Sequence, residues 1–206
     1  MEYIHPMEIE KRSFEIITEL LGDKTLDPEQ EPVIKRAIHT TADLEYADIL
    51  CFSEHAVAKG MEALRHGCDI VTDTQMAKAG INQRMLSRLG GTVHCFMSDS
   101  DVAAEAKRRG ITRAVVSMER AAHLPKPCIF AIGNAPTALI ALHHMIISGV
   151  LQPALVIGVP VGFVNVVESK ELIMESGAPY IVAKGRKGGS NVAAAICNAM
   201  LYQIMG

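Results

Sequence analysis

The stretch CIFAIGNAPT, residues 128–137, decides the fold class of this chain. Its first half is wholly apolar, whereas its second half contains glycine, asparagine, proline and threonine. A short strand that is apolar on both faces is typical of a parallel sheet covered by helices on both sides. The proline after the glycine turn suits the first turn of a helix. The stretch therefore predicts a buried strand, a tight turn and a helix over residues 135–148.

The same strand–turn–helix pattern recurs in the C-terminal half. Apolar runs at 154–157 and 180–183 are each followed by a glycine-containing turn and a helical pattern, at 166–175 and 190–204. The remaining predicted elements are strands at 69–72 and 92–96 and helices at 54–66, 81–89 and 100–109. Alternating strands and helices predict one α/β domain over residues 1–206, a three-layer α/β/α fold with a mainly parallel central sheet.

Two further helices are predicted at the start of the chain. The pattern after Pro6 is amphipathic and Gly22 ends it, and the expected buried face consists of Phe14, Ile17, Leu20 and Leu21. Asp27 and Pro28 predict the N-cap and first helical position of a second helix, which runs towards His39.

Composition excludes several classes of protein. Lys and Arg number 20 against 23 Asp and Glu, so there is no basic excess of the kind that nucleic-acid binders show. The five cysteines form no C-x-x-C pair, which predicts reduced thiols without a disulfide or a metal site. The N-terminus lacks a signal-peptide core, and His143 and His144 interrupt the longest apolar stretch. We therefore expect a soluble, cytoplasmic protein that spans no membrane.

Ligands of open parallel sheets bind outside the carboxyl ends of the strands. Asn134 is expected to cap the helix after the 128–132 strand, and Thr137 can present a hydroxyl group. In the turn KGRKGGS (184–190), Gly188 and Gly189 are expected to expose amides beside a helix N-terminus, with Arg186 and Lys187 adjacent. Such a turn favours an anion. Plain turn chemistry explains the 133–137 loop equally well when it is taken singly. For Gly-Gly-Ser before a helix, a plain cap that includes Ser190 is the more common explanation.

The segment RAIHTTAD (36–43) offers a histidine at the end of the second predicted helix. His39 falls at the margin of the apolar stripe, near a helix C-terminus whose dipole favours the imidazolium form. Asp43 could accept a hydrogen bond from the ring if the helix persists that far. These are conditions for a proton donor and acceptor near neutral pH. The alternative is a histidine that only caps the helix, and this segment alone favours that alternative.

The chain resembles the precorrin-8X methylmutase family over essentially its whole length. The resemblance rests on the blocks RSFEII (12–17), IHTTADLEYAD (38–48), IVTDTQM (70–76), ITRAVVSM (111–118), AIGNAPTAL (131–139), VIGVPVGFVNVVESKE (156–171) and PYIVAKGRKGGSNVAAA (179–195). It implies an α/β/α homodimer with active sites near the subunit interface. It also implies an isomerase that moves a methyl group from C-11 to C-12 of a tetrapyrrole without a methyl donor. No cofactor is implied, because any cobalt belongs to the substrate ring.

The resemblance also implies roles for individual residues. The family's catalytic histidine matches His39, and family positions near the ligand match Ser13 and Arg113. Many relatives have serine where Ala114 follows Arg113, which puts one hydroxyl contact in doubt. The substrate carries acetate and propionate carboxylates, so cations and amides are expected around it. The further candidate substrate contacts are Thr72, Asn134, Thr137, Lys170, Arg186, Lys187, Gly188, Gly189 and Ser190.

Alternatives remain at the level of sequence. Arg113 could be a solvated cation at a helix start, and Lys170 could pair with Glu168 or Glu171. A carrier that binds a corrinoid without changing it would need no proton donor at position 39. A nucleotide-dependent enzyme using the 184–190 turn is disfavoured, because no G-x-x-x-x-G-K-[ST] pattern is present.

Overall fold

The computed structural model describes His5 and residues 8–205 of the chain. Its strands are β1 (Leu50–Phe52), β2 (Asp69–Thr72), β3 (Val93–His94), β4 (Cys128–Ile132), β5 (Leu155–Gly158) and β6 (Tyr180–Ala183). Its helices are α1 (Ile9–Leu21), α2 (Glu31–Thr41), α3 (Tyr46–Ile49), α4 (Ala56–Arg65), α5 (Gln75–Gly80), α6 (Gln83–Arg88), α7 (Ser100–Arg109), α8 (Arg113–Ala121), α9 (Pro136–Ile147), α10 (Val166–Glu175) and α11 (Ser190–Met205).

The strands form a single sheet in the order β1-β6-β5-β4-β2-β3. All neighbouring strands are parallel except β1, which runs antiparallel to β6. The two faces of the sheet alternate along each strand, as the pleat requires. In β4, Ile129 and Ala131 join one core cluster, and Cys128, Phe130 and Ile132 join the other. The apolar run 128–132 is therefore covered on both faces.

Helices cover both faces, which confirms the three-layer α/β/α prediction. The first face packs against α1, α2, α4, α6 and α11. The second packs against α8, α9 and α10, and α7 adds a small cluster of its own beside α8. The helix α11 is the centre of the first layer, with nine buried residues and its main helix contacts to α2, α5 and α4. Its strongly apolar sequence reflects burial on several sides.

Three local predictions differ from the structure. Asp27 does not cap α2: its carboxylate accepts the Glu29 amide in a turn at 2.8 Å, and the helix begins at Glu31 with Pro32 in its first turn. Leu20 is 63% exposed, because the buried stripe of α1 follows the spacing of Phe14, Ile17 and Leu21. The antiparallel strand β1 and the short helices α3 and α5 were not predicted from the sequence. The expected helix start after Pro6 lies outside the described residues.

Candidate active site

The carboxyl edge of the sheet is the edge at which Thr72, Ile132, Gly158 and Ala183 end their strands. The end of α2 reaches this edge because β1 is antiparallel. Leu50, the first residue of β1, pairs with Ala183, and the Lys184 amide donates to the Ile49 carbonyl at 2.8 Å. The segment that contains His39 and the 184–190 turn therefore lie at one edge, as the sequence predicts for a ligand site.

His39 lies in the last turn of α2, which ends where Ala42 adopts the left-handed conformation at φ 55°. The imidazole is exposed and stacks on Phe14 of α1, with ring centroids 5.4 Å apart and planes inclined by 27°. The predicted bond to Asp43 is not formed, because the helix ends before that residue and both carboxylate oxygens accept elsewhere. Among the described residues, an aromatic face and not a carboxylate therefore contacts the imidazole.

Lys187 ties the 184–190 turn to the segment after α2. Its ammonium donates to the carboxylates of Asp43 and Glu45, at 2.5 and 2.7 Å. These hydrogen bonds raise the pKa of Lys187, and the bond from Lys187 lowers the pKa of Asp43. Lys187 was predicted as an open cation for the substrate, but the structure shows its charge already paired within the chain.

Lys170 lies behind the same turn and is only 1% exposed. Its ammonium donates to the carbonyls of Gly185 at 2.7 Å and Lys187 at 2.9 Å, and not to the glutamates that flank it in sequence. Burial lowers the pKa of Lys170 to about 8. A direct contact between this side chain and a substrate would require the turn to move.

The glycines of the turn lie close to the loop after β5. The Gly189 amide donates to the Val159 carbonyl at 2.8 Å, so the prediction of an open amide at Gly189 is wrong. A Cβ atom at Gly188 would lie 2.0 Å from the same carbonyl oxygen, which only glycine allows. Ser190 begins α11, and its hydroxyl bonds to that of Thr74 at 2.7 Å. The turn is thus held against its neighbours at several points.

Asp73 was not predicted as a site residue, and its side chain is fully buried directly after β2. Its carboxylate accepts the amides of Gly133, Asn134 and Ala135 at 2.9, 2.8 and 2.6 Å. Burial raises its pKa, and these hydrogen bonds oppose the rise. Asp73 therefore supplies the anion at the start of α9, and the predicted cap by the Asn134 side chain is wrong. The signal was present, since a carboxylate follows a buried strand in IVTDTQM.

The other residues predicted to contact the substrate differ in their exposure and in whether their polar groups already form hydrogen bonds. Thr72 is buried, and its hydroxyl donates to the carbonyls of Thr74 and His94 at 3.1 and 3.3 Å. The Thr137 hydroxyl bonds to that of Thr112, the N-cap of α8, at 2.9 Å. This bond brings Arg113, the exposed first residue of α8, to the carboxyl edge.

Two further candidates are Arg186, in the 184–190 turn, and Ser13, on α1. The Arg186 guanidinium is exposed and lies 5.9 Å from the centroid of the Phe163 ring, itself 86% exposed. Ser13 is half-buried on α1, next to the Phe14 that stacks on His39. In the described part of the chain, neither Arg113 nor Arg186 takes part in an ion pair. Their charges can therefore meet those of a ligand.

Among the described residues, no group of three or more His, Cys, Asp or Glu side chains could hold a metal ion. All five cysteines are free thiols, and four of them are buried. No helix in residues 8–205 has the length and apolar character that a bilayer crossing requires.

Comparison with known proteins identifies relatives along the whole chain. The family model for precorrin-8X methylmutase matches residues 8–203. A cobalt-precorrin-8 methylmutase of Salmonella typhimurium is 47% identical over 99% of each chain. That of Priestia megaterium is 45% identical over 96% of this chain and 88% of its own. The crystal structure of precorrin-8x methyl mutase from Thermus thermophilus has a TM-score of 0.88 and 38% identity, and the match covers 96% of this chain and 98% of that one.

The fold, the edge and these relatives define an α/β enzyme of the isomerase class, since a methylmutase moves a methyl group within one molecule. The chain belongs to the precorrin-8X methylmutase family, a family of cobalamin biosynthesis.

Proposed function

We propose that this chain moves the methyl group at C-11 of precorrin-8, or of its cobalt form, to C-12. In this suprafacial 1,5-sigmatropic shift the C-11–methyl bond breaks as the C-12–methyl bond forms. The product is hydrogenobyrinate, or cobyrinate when cobalt is present. No methyl donor, separate cofactor or covalent enzyme intermediate takes part. Family membership supports the proposal, as does an exposed imidazole among unpaired cations at the carboxyl edge.

His39 is the proposed proton donor and acceptor, and its placement is the observation on which the proposal depends most. Its ring is exposed at the end of α2, with one face against Phe14 and no carboxylate bound to it in the described chain. Protonation of the conjugated ring system makes the migration terminus electron-poor and lowers the barrier. The imidazole accepts the proton back when conjugation is restored. Such general acid–base help is worth roughly 10²–10⁴-fold in rate.

Arg113 and Arg186 are the proposed partners of the substrate carboxylates, because both are exposed and unpaired in the described part of the chain. A guanidinium binds a carboxylate through two parallel hydrogen bonds. Ser13, next to the Phe14 that stacks on His39, and Asn134, just before α9, can each donate a side-chain hydrogen bond to the substrate. Thr72, Thr137, Ser190, Lys187 and Gly189 act indirectly by holding the loops, because their polar groups already bond within the chain.

We further propose that the active enzyme is a homodimer with its sites near the subunit interface, in the cytoplasm. Two cavities border α2 and α11, of about 340 and 220 Å³. Sites for drug-sized ligands measure about 300–1,000 Å³, and a tetrapyrrole with its carboxylate arms is larger still. Phe163 and Val164 are 86% and 78% exposed beside this edge. A partner surface that covers them would complete a site of sufficient size.

The test is incubation with precorrin-8, metal-free and cobalt-loaded, followed by visible spectroscopy. Methyl migration alters the conjugation, so the spectrum must change with at least one form. His39→Asn should slow the change roughly 10²–10⁴-fold while product still binds. His66→Asn is the matched control, since His66 also ends a helix but lies at the opposite edge, before β2.

The outcomes separate the enzyme from a carrier. If the native protein binds product but converts neither substrate, the chain is a corrinoid carrier and the isomerase proposal is wrong. If His39→Asn converts substrate at the native rate, the isomerase stands and His39 is not its acid and base.

A further inference from the structure

The environment of Lys170 is unusual for a lysine. Its side chain extends from α10 to the 184–190 turn and is buried, and its ammonium donates to two backbone carbonyls, those of Gly185 and Lys187. No carboxylate in the described part of the chain pairs with it. An ammonium buried without a counter-ion is costly to keep, so its retention here calls for a gain elsewhere.

The two bonds fix the direction of two peptide groups. In a trans peptide, the carbonyl of one residue and the amide N–H of the next point in opposite directions. No peptide bond in the described chain is cis. Because the Gly185 and Lys187 carbonyls point towards Lys170, the amides of Arg186 and Gly188 point away from it. Neither amide donates a hydrogen bond to another described residue.

The intervening peptide confirms this alternation. The Arg186 carbonyl points the other way and accepts the Gly162 amide at 3.2 Å. The side chain of Lys187 also turns away, towards Asp43 and Glu45. The side of the turn that faces away from Lys170 therefore carries the Arg186 and Gly188 amides, and the Lys187 ammonium is already paired with Asp43 and Glu45.

We propose that Lys170 is a positioning residue that turns the Arg186 and Gly188 amides outward, where they donate hydrogen bonds to substrate carboxylates. That these carboxylates belong to a corrinoid rests on the function proposed above. The uncompensated ammonium behind the turn adds a second attraction, because its positive charge lies on the far side of the same two peptide groups. The low pKa of Lys170, about 8, agrees with a charge that has no counter-ion.

The first test uses sodium propionate, which carries the same carboxylate as the substrate arms and does not depend on the reaction. In ¹H–¹⁵N NMR spectra of the native protein, propionate should move the amide protons of Arg186 and Gly188 downfield in a saturable way. In Lys170→Met, the apparent dissociation constant read from these two signals should rise about tenfold, the effect of one weakened charge-assisted bond. Lys170→Arg should restore part of the response.

Lys59→Met is the matched control. Lys59 also donates to a backbone carbonyl, that of Glu54 at 2.9 Å, but it is exposed and lies at the other edge of the sheet. It should leave both amide signals and their response to propionate unchanged. In enzyme assays, Lys170→Met should raise KM about tenfold and leave kcat within about twofold, since the lost interaction binds substrate in its ground state.

The propionate titrations test the role of Lys170 independently of whether the protein catalyses the methyl shift. Propionate shifts at both amides that weaken in Lys170→Met support the inference, even if no methyl shift is detected. Native spectra in which saturating propionate moves neither amide overturn it, and so does an unchanged response in Lys170→Met. If that variant does not fold, Lys170→Gln tests the same point, and the native titration alone still decides whether the amides bind carboxylate.

Discussion

Lys170 gives the stability of the protein a dependence on pH that can be measured. Burial lowers its pKa in the folded state from 10.5 to about 8, so between these values the unfolded chain binds more protons at this residue. The free energy of unfolding therefore rises with pH across that window. We expect native protein to gain up to about 3 kcal/mol relative to Lys170→Met as pH rises from about 8 to about 10.5. Urea titrations of both proteins measure this; curves that stay parallel would contradict it.

Asp73 makes a second prediction at the scale of one residue. Asp73→Asn keeps the size of the side chain but turns one acceptor into a donor that faces backbone amides. Because the site is fully buried, we expect a loss of about 3 kcal/mol in the free energy of unfolding. Asp101→Asn is the control, since Asp101 is exposed and pairs with Arg120 at the surface. That change should have little effect on the free energy of unfolding, because water screens an exposed ion pair. If both variants lost the same free energy of unfolding, the buried hydrogen bonds of Asp73 would contribute no more to stability than a surface ion pair.

At the residue scale, sequence reasoning placed side chains at the carboxyl edge but could not assign their partners. It predicted that His39 and Arg186 lie there, because strand ends and helix ends follow from hydrophobic patterns. It could not predict that Lys187 pairs with Asp43, since the two are distant in sequence and meet only through the antiparallel β1. The burial of Lys170 likewise depends on the tertiary fold.

At the scale of elements, the turn after β4 and the start of α11 lie in close contact. A Cβ atom at Gly133 would lie 2.6 Å from the Cα atom and 2.7 Å from the nitrogen of Ser190. These are backbone atoms, which cannot move aside without displacing the start of α11. Gly133→Ala should therefore cost about 1–3 kcal/mol of stability and move α11 away from the site.

Gly158→Ala is the comparison for that variant, at the end of the neighbouring strand. Its nearest neighbours would be side-chain atoms of Val182 and Leu139, at 3.2 and 3.4 Å, which can shift. We expect a cost below about 1 kcal/mol, measured by thermal or urea unfolding of both variants. A larger loss in Gly158→Ala than in Gly133→Ala would refute the argument from close backbone approach.

Elements with long apolar or periodic patterns were predicted well from the sequence. The bounds of β2, β4, β6, α7 and α10 agree with the structure to the residue. β1 was missed because it has only three residues and gains its order from pairing with β6. The start of α2 was misplaced because two prolines, Pro28 and Pro32, both suit a first helical turn, and local pattern alone does not choose between them.

At the scale of the whole molecule, the exposed apolar side chains beside the carboxyl edge predict an assembly. Sedimentation velocity should give a particle of twice 22.3 kDa at micromolar concentration. Phe163→Ser should shift the protein towards the monomer and also lower substrate turnover, because the surface around Phe163 would form the dimer interface and border the active site. Ile147→Ser, which alters a 61% exposed residue at the end of α9, is the control and should change neither. A native protein that sediments as a monomer with full activity would contradict the proposed dimer.

The central position of α11 has a consequence for synthesis on the ribosome. This helix follows every other described element in the chain, yet it fills the middle of one layer and begins beside the 184–190 turn. Until it is translated, the faces of α2 and α4 that pack against α11 lack that partner. A growing chain thus exposes apolar surface late into its production, the situation in which chaperones bind and aggregation competes. Ligand binding should then be among the last properties that a newly made molecule acquires.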